Sequence, residues 1–205
     1  MAEKVKDTKR ILLNAARKGF AEKGYYGTSM EFIVRKTGLS KGTIYWYFPG
    51  KWELYKAVLS EEIERILTMI IPPDMEALEG SGMDFLISRG DRLIESLTGD
   101  SLSRLLFVHL SLEAMRGEGE MVDFVASLRD TMAKDLLPLF QSIFPEGVLV
   151  RQGFSHGDMV NMFITILHGI ILNLELSISR EEASKIWHFL IQSILERIGH
   201  EKLQE

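Results

Sequence analysis

Lys41, Thr43, Tyr45, Trp46 and Tyr47 crowd into one short run, and Lys51 follows four positions later. Ammonium, hydroxyl and aromatic groups at this density suit contact with phosphates and base edges of a nucleic-acid duplex. Ile44 and Phe48, one helical turn apart, supply an inner face for a two-turn rod, with Leu39 as a neighbouring apolar plug. Gly42, Thr43 and Trp46 then lie opposite, Tyr45 and Tyr47 flank them, and Lys41 swings outward from the first turn. Lys51 opens the next helix, so its charge and that helix's free amides can share one phosphate.

Other chemistry is spelled less well. Gly38-Leu39-Ser40-Lys41-Gly42 fits the G-x-S-x-G nucleophile elbow, with Ser40 as the nucleophile. An elbow needs a strand before it, and the neighbouring residues read as helix. No phosphate-loop order, no G-x-G-x-x-G after a strand and no H-E-x-x-H pair occurs. His109 and Glu113 stand one turn apart, and His168 sits inside an apolar run; both histidines read as hydrogen-bonding groups rather than metal ligands. No metal site, catalytic residue or cofactor is expected. With no cysteine, disulfides and thiolate metal sites are excluded.

The elements that position the run are helices. Thr28-x-x-Glu31 reads as a capping box that starts a helix at Ser29, and Gly38 stands where a left-handed residue ends it. Ser40 caps the next helix, which Pro49-Gly50 stops. Upstream, Asp7 or Thr8 caps a first helix with Leu12, Ala15, Ala16 and Phe20 inward and Gly24 at its end. Leu12, Ala16, Phe20, Ile33, Leu39, Ile44 and Phe48 form the expected core of this three-helix head.

The stretch SKGTIYWYFPGKWELYKAVL resembles the DNA-binding signature of the tetracycline-repressor (TetR) family of regulators, and ILLNAARKGFAEKGYYGTSM resembles that family's first helix. The resemblance covers about the first 58 residues and implies a helix-turn-helix. It implies DNA contacts from Lys41, Gly42, Thr43, Tyr45, Trp46, Tyr47 and Lys51, with Thr28 and Ser29 near the backbone. Two positions depart from the family's habit: Gly50 is a weaker cap than the usual Ser or Asn, and Tyr47 replaces a frequent His.

Charge divides the same way. Residues 1–60 hold twelve Lys and Arg against five Asp and Glu, a formal +7, leaving −12 on the remainder and −5 overall. An anion-seeking head on an acidic body is expected, divided at residues 1–50 and 51–205. The scarcity of Asn, Gln and Cys also resembles heat-adapted composition.

The body reads as helices throughout, giving an all-α fold of about nine helices. A fourth helix runs from Lys51 to Ile71, where Pro72-Pro73 stops it, with Leu54, Val58, Ile66 and Ile70 inward. Helices follow over 83–98 after a Ser81 cap, 102–116, 120–144 with Pro138 kinking or ending it, about 158–177 after Ser155, and from Ser179 to Gly199. Residues 145–153 form a connector with strand-like Val148-Leu149-Val150. The run MFITILHGIILNLEL is interrupted by polar residues, too short for a membrane span, and expected to be buried on every side. Gly169 marks a close approach of another backbone.

The last two helices carry more apolar surface than one partner face consumes, with Ile186, Leu190, Ile194 and Ile198 beside Trp187, Ile191 and Leu195. A homodimer through these helices is expected, as the resemblance also implies. Phe107, Leu110, Met115, Phe124, Leu128, Met132, Phe163 and Leu167 are candidate walls for a small hydrophobic or aromatic effector, with Arg89, Arg92 and His109 as polar anchors. The resulting expectation is a cytoplasmic, dimeric repressor on palindromic double-stranded DNA, released by that effector. A helical protein-interaction module and a DNA-binding activator are the competing readings.

Overall fold

The computed structural model describes residues 2–73, 82–117 and 119–199. Ten helices account for the regular structure: α1 Ala2–Gly27, α2 Met30–Thr37, α3 Lys41–Tyr47, α4 Lys51–Ile70, α5 Gly82–Gly99, α6 Ser101–Arg116, α7 Glu120–Ile143, α8 Glu146–Arg151, α9 His156–Asn173 and α10 Arg180–Gly199. Among the described residues no strand forms, only a single bridge between Leu174 and Ile178. The all-α expectation holds, with one helix more than expected.

That extra helix is α8. Val148-Leu149-Val150 carry strand-favouring side chains, but among the described residues no second strand offers hydrogen bonds, so the backbone satisfies itself helically while Val148 and Leu149 are buried. Pro138 does not end α7. It lies on the exposed side with Lys134, where solvent can serve the carbonyl that its missing N–H abandons. α1 starts at Ala2 rather than at an Asp7 or Thr8 cap, and carries a break at Gly24, whose φ of 69° and ψ of −179° suit glycine alone. Ser81, the expected cap of α5, lies outside the described residues.

Two compact units are distinguished by their internal contacts: Met1–Glu64 with Ser101–Ala126, and Arg65–Asp100 with Ser127–Glu205. The first contains α1 to α3, most of α4, α6 and the start of α7. Leu12, Ala16, Phe20, Ile33 and Ile44 are fully buried there, Phe48 nearly so, and Leu39 is half-buried. Burying the Leu, Ile and Phe side chains contributes about 1.5–3 kcal/mol each, which fixes α2 and α3, too short to persist alone.

In the second unit α5 packs on α10, where Trp187 is fully buried and donates from its indole to the Leu86 carbonyl at 3.1 Å. Gly90 makes room for that indole, since a Cβ there would meet Trp187 Nε1 at 1.9 Å. α9 opens with a capping box, Ser155 accepting from the Asp158 N–H and Asp158 from the Ser155 N–H. It ends at Asn173, four residues before the expected Ser177. Burial of α9 on every side is not observed in this chain: Met159, Val160, Phe163, Ile164, Leu167, Ile170 and Ile171 are buried, while Asn161, Thr165, His168 and Asn173 fall on one exposed stripe. The polar interruptions recur at helical spacing, so they gather on one side. Ser179 and Glu182 form the expected box before α10.

Candidate nucleic-acid interface

The turn between α2 and α3 is built by two hydroxyl caps and one glycine. Ser29, not Thr28, caps α2, accepting the Phe32 N–H. Thr28 is 1% exposed and donates to the Gly24 carbonyl at 2.8 Å, closing the break in α1. The Thr28–Glu31 box therefore does not form, and Thr28 is interior; the neighbouring exposed hydroxyl is that of Ser29. Gly38 ends α2 in the left-handed region at φ 67°, and Ser40 caps α3 by accepting the Thr43 N–H at 3.0 Å. The two hydroxyls of Ser40 and Thr43 also share a hydrogen bond of 2.8 Å.

Ile44 and Phe48 anchor α3, and its other side is open. Trp46 is 71% exposed, packed edge-on against Tyr47, and Lys41, Gly42 and Tyr45 are exposed beside it. Tyr47 is half-buried, its hydroxyl donating to the Val5 carbonyl of α1 at 3.0 Å. Lys41 stands 3.5 Å from Glu31 of α2. Lys23 and Lys36 lie over the Phe32 ring, 4.3 and 5.7 Å from its centre, so cations continue along the surface beside α2. Lys51, at the start of α4, donates to the Tyr25 carbonyl at 2.8 Å and sits 4.2 Å above the Tyr25 ring. Desolvation pushes its ammonium below the ordinary lysine range, and the Glu113 carboxylate opposes that shift.

Tyr25, Val5 and Glu113 were not singled out for this site from sequence. Tyr25 carried no legible signal, because its role is played by backbone atoms. Glu113 was noted only as a neighbour of His109. The structure sets both beside Gly24, where a Cβ would meet Glu113 Oε1 at 2.6 Å and His109 Nδ1 at 2.9 Å.

The residues nominated for an effector are scattered in character. Phe107, Leu110, Phe163 and Leu167 are buried, Phe124, Leu128 and Met132 are half-buried, and Met115 is 84% exposed. Met115 is thus a surface side chain near the end of α6. Of the eight, Phe163 borders an apolar void of about 10 Å³ in the second unit, walled also by Phe140, Phe144, Met159, Trp187 and Ile191. Such a void has room for about one water. Arg89 donates to the Met69 carbonyl and stacks on Phe85, Arg92 is exposed, and His109 packs at Gly24. Among the described residues no three His, Asp or Glu gather as metal ligands, and no helix is long and apolar enough to cross a membrane.

Residues 12–58, which hold the turn and both flanking helices, match the family model described as bacterial regulatory proteins, tetR family. The HTH-type transcriptional regulator UidR of Escherichia coli K12 is 32% identical over 118 residues, which is 57% of this chain and 56% of that protein. The chain therefore matches little more than half the length of that relative. Salmonella enterica GusR has a similar fold, with a TM-score of 0.71, 24% identity, and coverage of 93% of this chain and 96% of that one. The fold of Bacillus subtilis FadR, solved with stearoyl-CoA, is also similar, at a TM-score of 0.68, 18% identity, and coverage of 89% and 96%. Residues 12–58 thus resemble the DNA-binding domain of the tetR family of bacterial regulatory proteins, and the fold of the whole chain is similar to that of solved regulators.

Proposed function

We propose that the protein is a ligand-responsive repressor that binds palindromic double-stranded DNA as a homodimer in the cytoplasm. One observation carries the reading: α3 is held by Ile44 and Phe48 and turns Lys41, Gly42, Tyr45 and Trp46 outward on a unit whose first 60 residues bear +7. A rod of this kind enters the major groove with its polar end against base edges, while Lys51 and Tyr47 meet phosphates on either side. Ser29 contributes a backbone contact, and buried Thr28 acts by closing the turn.

Dimerisation through α9 and α10 is supported by Phe189, 69% exposed, and by the exposed Ile186 on α10. Gly169 of α9 has nothing within 4 Å of a built Cβ, which leaves its face open to a second copy. Two such copies present two α3 rods, and half-sites spaced by about one helical turn of DNA follow. A hydrophobic effector is favoured by the fold's likeness to a protein solved with stearoyl-CoA. Leu128, Met132 and Leu167, in the same unit as Phe163, remain proposed apolar contacts.

Selection of duplexes from a randomised pool on the purified protein tests the reading. A two-fold symmetric consensus is expected. Recovery of no consensus contradicts DNA reading, and an asymmetric one contradicts the dimer. Native mass spectrometry of protein purified without added ligand is expected to reveal an apolar passenger.

A further inference from the structure

α6 buries one stripe, formed by Ser103, Leu106, Phe107, Leu110 and Glu113, and packs on α1. The middle of the stripe is apolar and both ends are polar, roughly 15 Å apart along the helix. At the first end Arg17 donates to Ser103 Oγ at 2.7 Å, Ser103 donates to Glu62 Oε2 at 2.6 Å, and Arg17 pairs with the other Glu62 oxygen. This triad ties α1, α4 and α6 together.

The second end differs. Glu113 is 8% exposed; its Oε1 accepts the Tyr25 N–H, and its Oε2 accepts from the Tyr55 hydroxyl at 2.9 Å. Tyr25 also gives its carbonyl to Lys51 Nζ at 2.8 Å. The first residue after the helix break at Gly24 is therefore gripped on one side by an α6 carboxylate and on the other by the first ammonium of α4. For packing alone, an apolar side chain would avoid the cost of burying a charge in this stripe.

We propose that Glu113 is a positioning residue for DNA binding: through the Tyr25 backbone it sets where Lys51 stands. The inference rests on the DNA-binding reading above, and goes beyond it by naming the residue through which the α6 helix reaches the interface. Glu113 touches no DNA in this scheme. Its effect on affinity exists only while Lys51 is present.

A double-mutant cycle on the full-length protein tests this, using a fluorescein-labelled duplex carrying the consensus selected by the wild-type protein. Glu113→Ala is expected to weaken binding about tenfold in the wild-type background and less than about twofold in the Lys51→Ala background. Equal loss in both backgrounds overturns the proposal, since a general loss of structure is additive with Lys51, and so does no loss in either. Glu113→Gln keeps an acceptor for Tyr25 and guards against misfolding of the alanine variant; it is expected to recover most of the lost affinity. Amide exchange at Tyr25 supplies a measurement independent of DNA. Glu113→Ala is expected to accelerate it about tenfold or more, and Ser103→Ala to leave it unchanged. Unchanged exchange in Glu113→Ala overturns the positioning role even if the protein binds DNA; a wild-type protein that selects no duplex overturns the functional reading instead.

Discussion

Lys51 donates to the backbone carbonyl of Tyr25 at 2.8 Å while lying 4.2 Å above the ring of the same residue. The ammonium is thereby parked at the start of α4 with a direction already set, rather than left to wander on its four-carbon stem. Preorganisation of this kind reduces the entropy lost when a phosphate arrives.

Removing that cation reports on its role. Lys51→Ala is expected to weaken all duplex sequences by a similar factor and to lower the slope of log K against log salt by about one. Titrations of the consensus and of an unrelated duplex at several KCl concentrations measure both. A uniform loss with an unchanged slope places Lys51 away from any phosphate.

Glu31 stands against Lys41 across the α2–α3 turn at 3.5 Å. Its own backbone N–H and Lys41 hold its carboxyl below the usual range. Because both partners are largely exposed, the pair adds little stability, but its negative charge lies beside the proposed DNA face. Glu31→Gln is expected to tighten duplex binding a few-fold at low salt and to lose that advantage at high salt, while leaving the melting temperature within about 1–2 °C. Weaker binding in this variant contradicts the placement of Lys41 on DNA.

The recognition turn was legible because it is local: Gly38, Ser40, Ile44 and Phe48 each do in the structure what their type and spacing predict. Thr28 misled because two adjacent hydroxyls, Thr28 and Ser29, compete for one cap, and tertiary closure at Gly24 decides between them. Partners distant in sequence were not legible. Tyr47 to Val5 and Tyr25 to Glu113 span 42 and 88 positions, and half of each bond is a backbone atom that no residue type advertises. Apolar periodicity on α6, α7 and α9 likewise does not distinguish core from cavity wall, and Met115 satisfied the spacing while pointing to solvent.

Gly90 offers a test of the second unit's core. With Trp187 Nε1 only 1.9 Å from a built Cβ, Gly90→Ala forces the buried indole from its place and breaks its bond to the Leu86 carbonyl. Overpacking of this type costs about 1–3 kcal/mol, and the lost hydrogen bond adds to it. A fall in melting temperature of roughly 5–10 °C is expected by calorimetry, with quenching or a red shift of Trp187 fluorescence. An unchanged melting temperature contradicts the α5–α10 packing.

The capping boxes of α9 and α10 carry a pH signature. Hydrogen bonds from Ser155 hold the Asp158 carboxyl below its ordinary value, and those from Ser179 do the same for Glu182. A depressed folded-state pKa means that the native state binds fewer protons, so this stabilisation is full above about pH 4–5 and is lost as pH falls through the lowered values. Ser155→Ala and Ser179→Ala are each expected to lower the melting temperature by a few degrees at pH 7, and by less as the pH approaches about 2. A deficit that is constant across this range contradicts the carboxylate's part in the caps.

We expect α3, carried by a head whose first 60 residues bear +7, to read a duplex as one of a symmetric pair. Fluorescence anisotropy of the purified protein with its selected consensus, across about 0.05–0.3 M KCl, tests it most directly. Saturable binding of one dimer per palindrome is expected, with affinity falling steeply as salt rises, by about 0.9 in the logarithmic slope for each phosphate neutralised. Binding that is absent at low salt, or present with no dependence on salt, contradicts it.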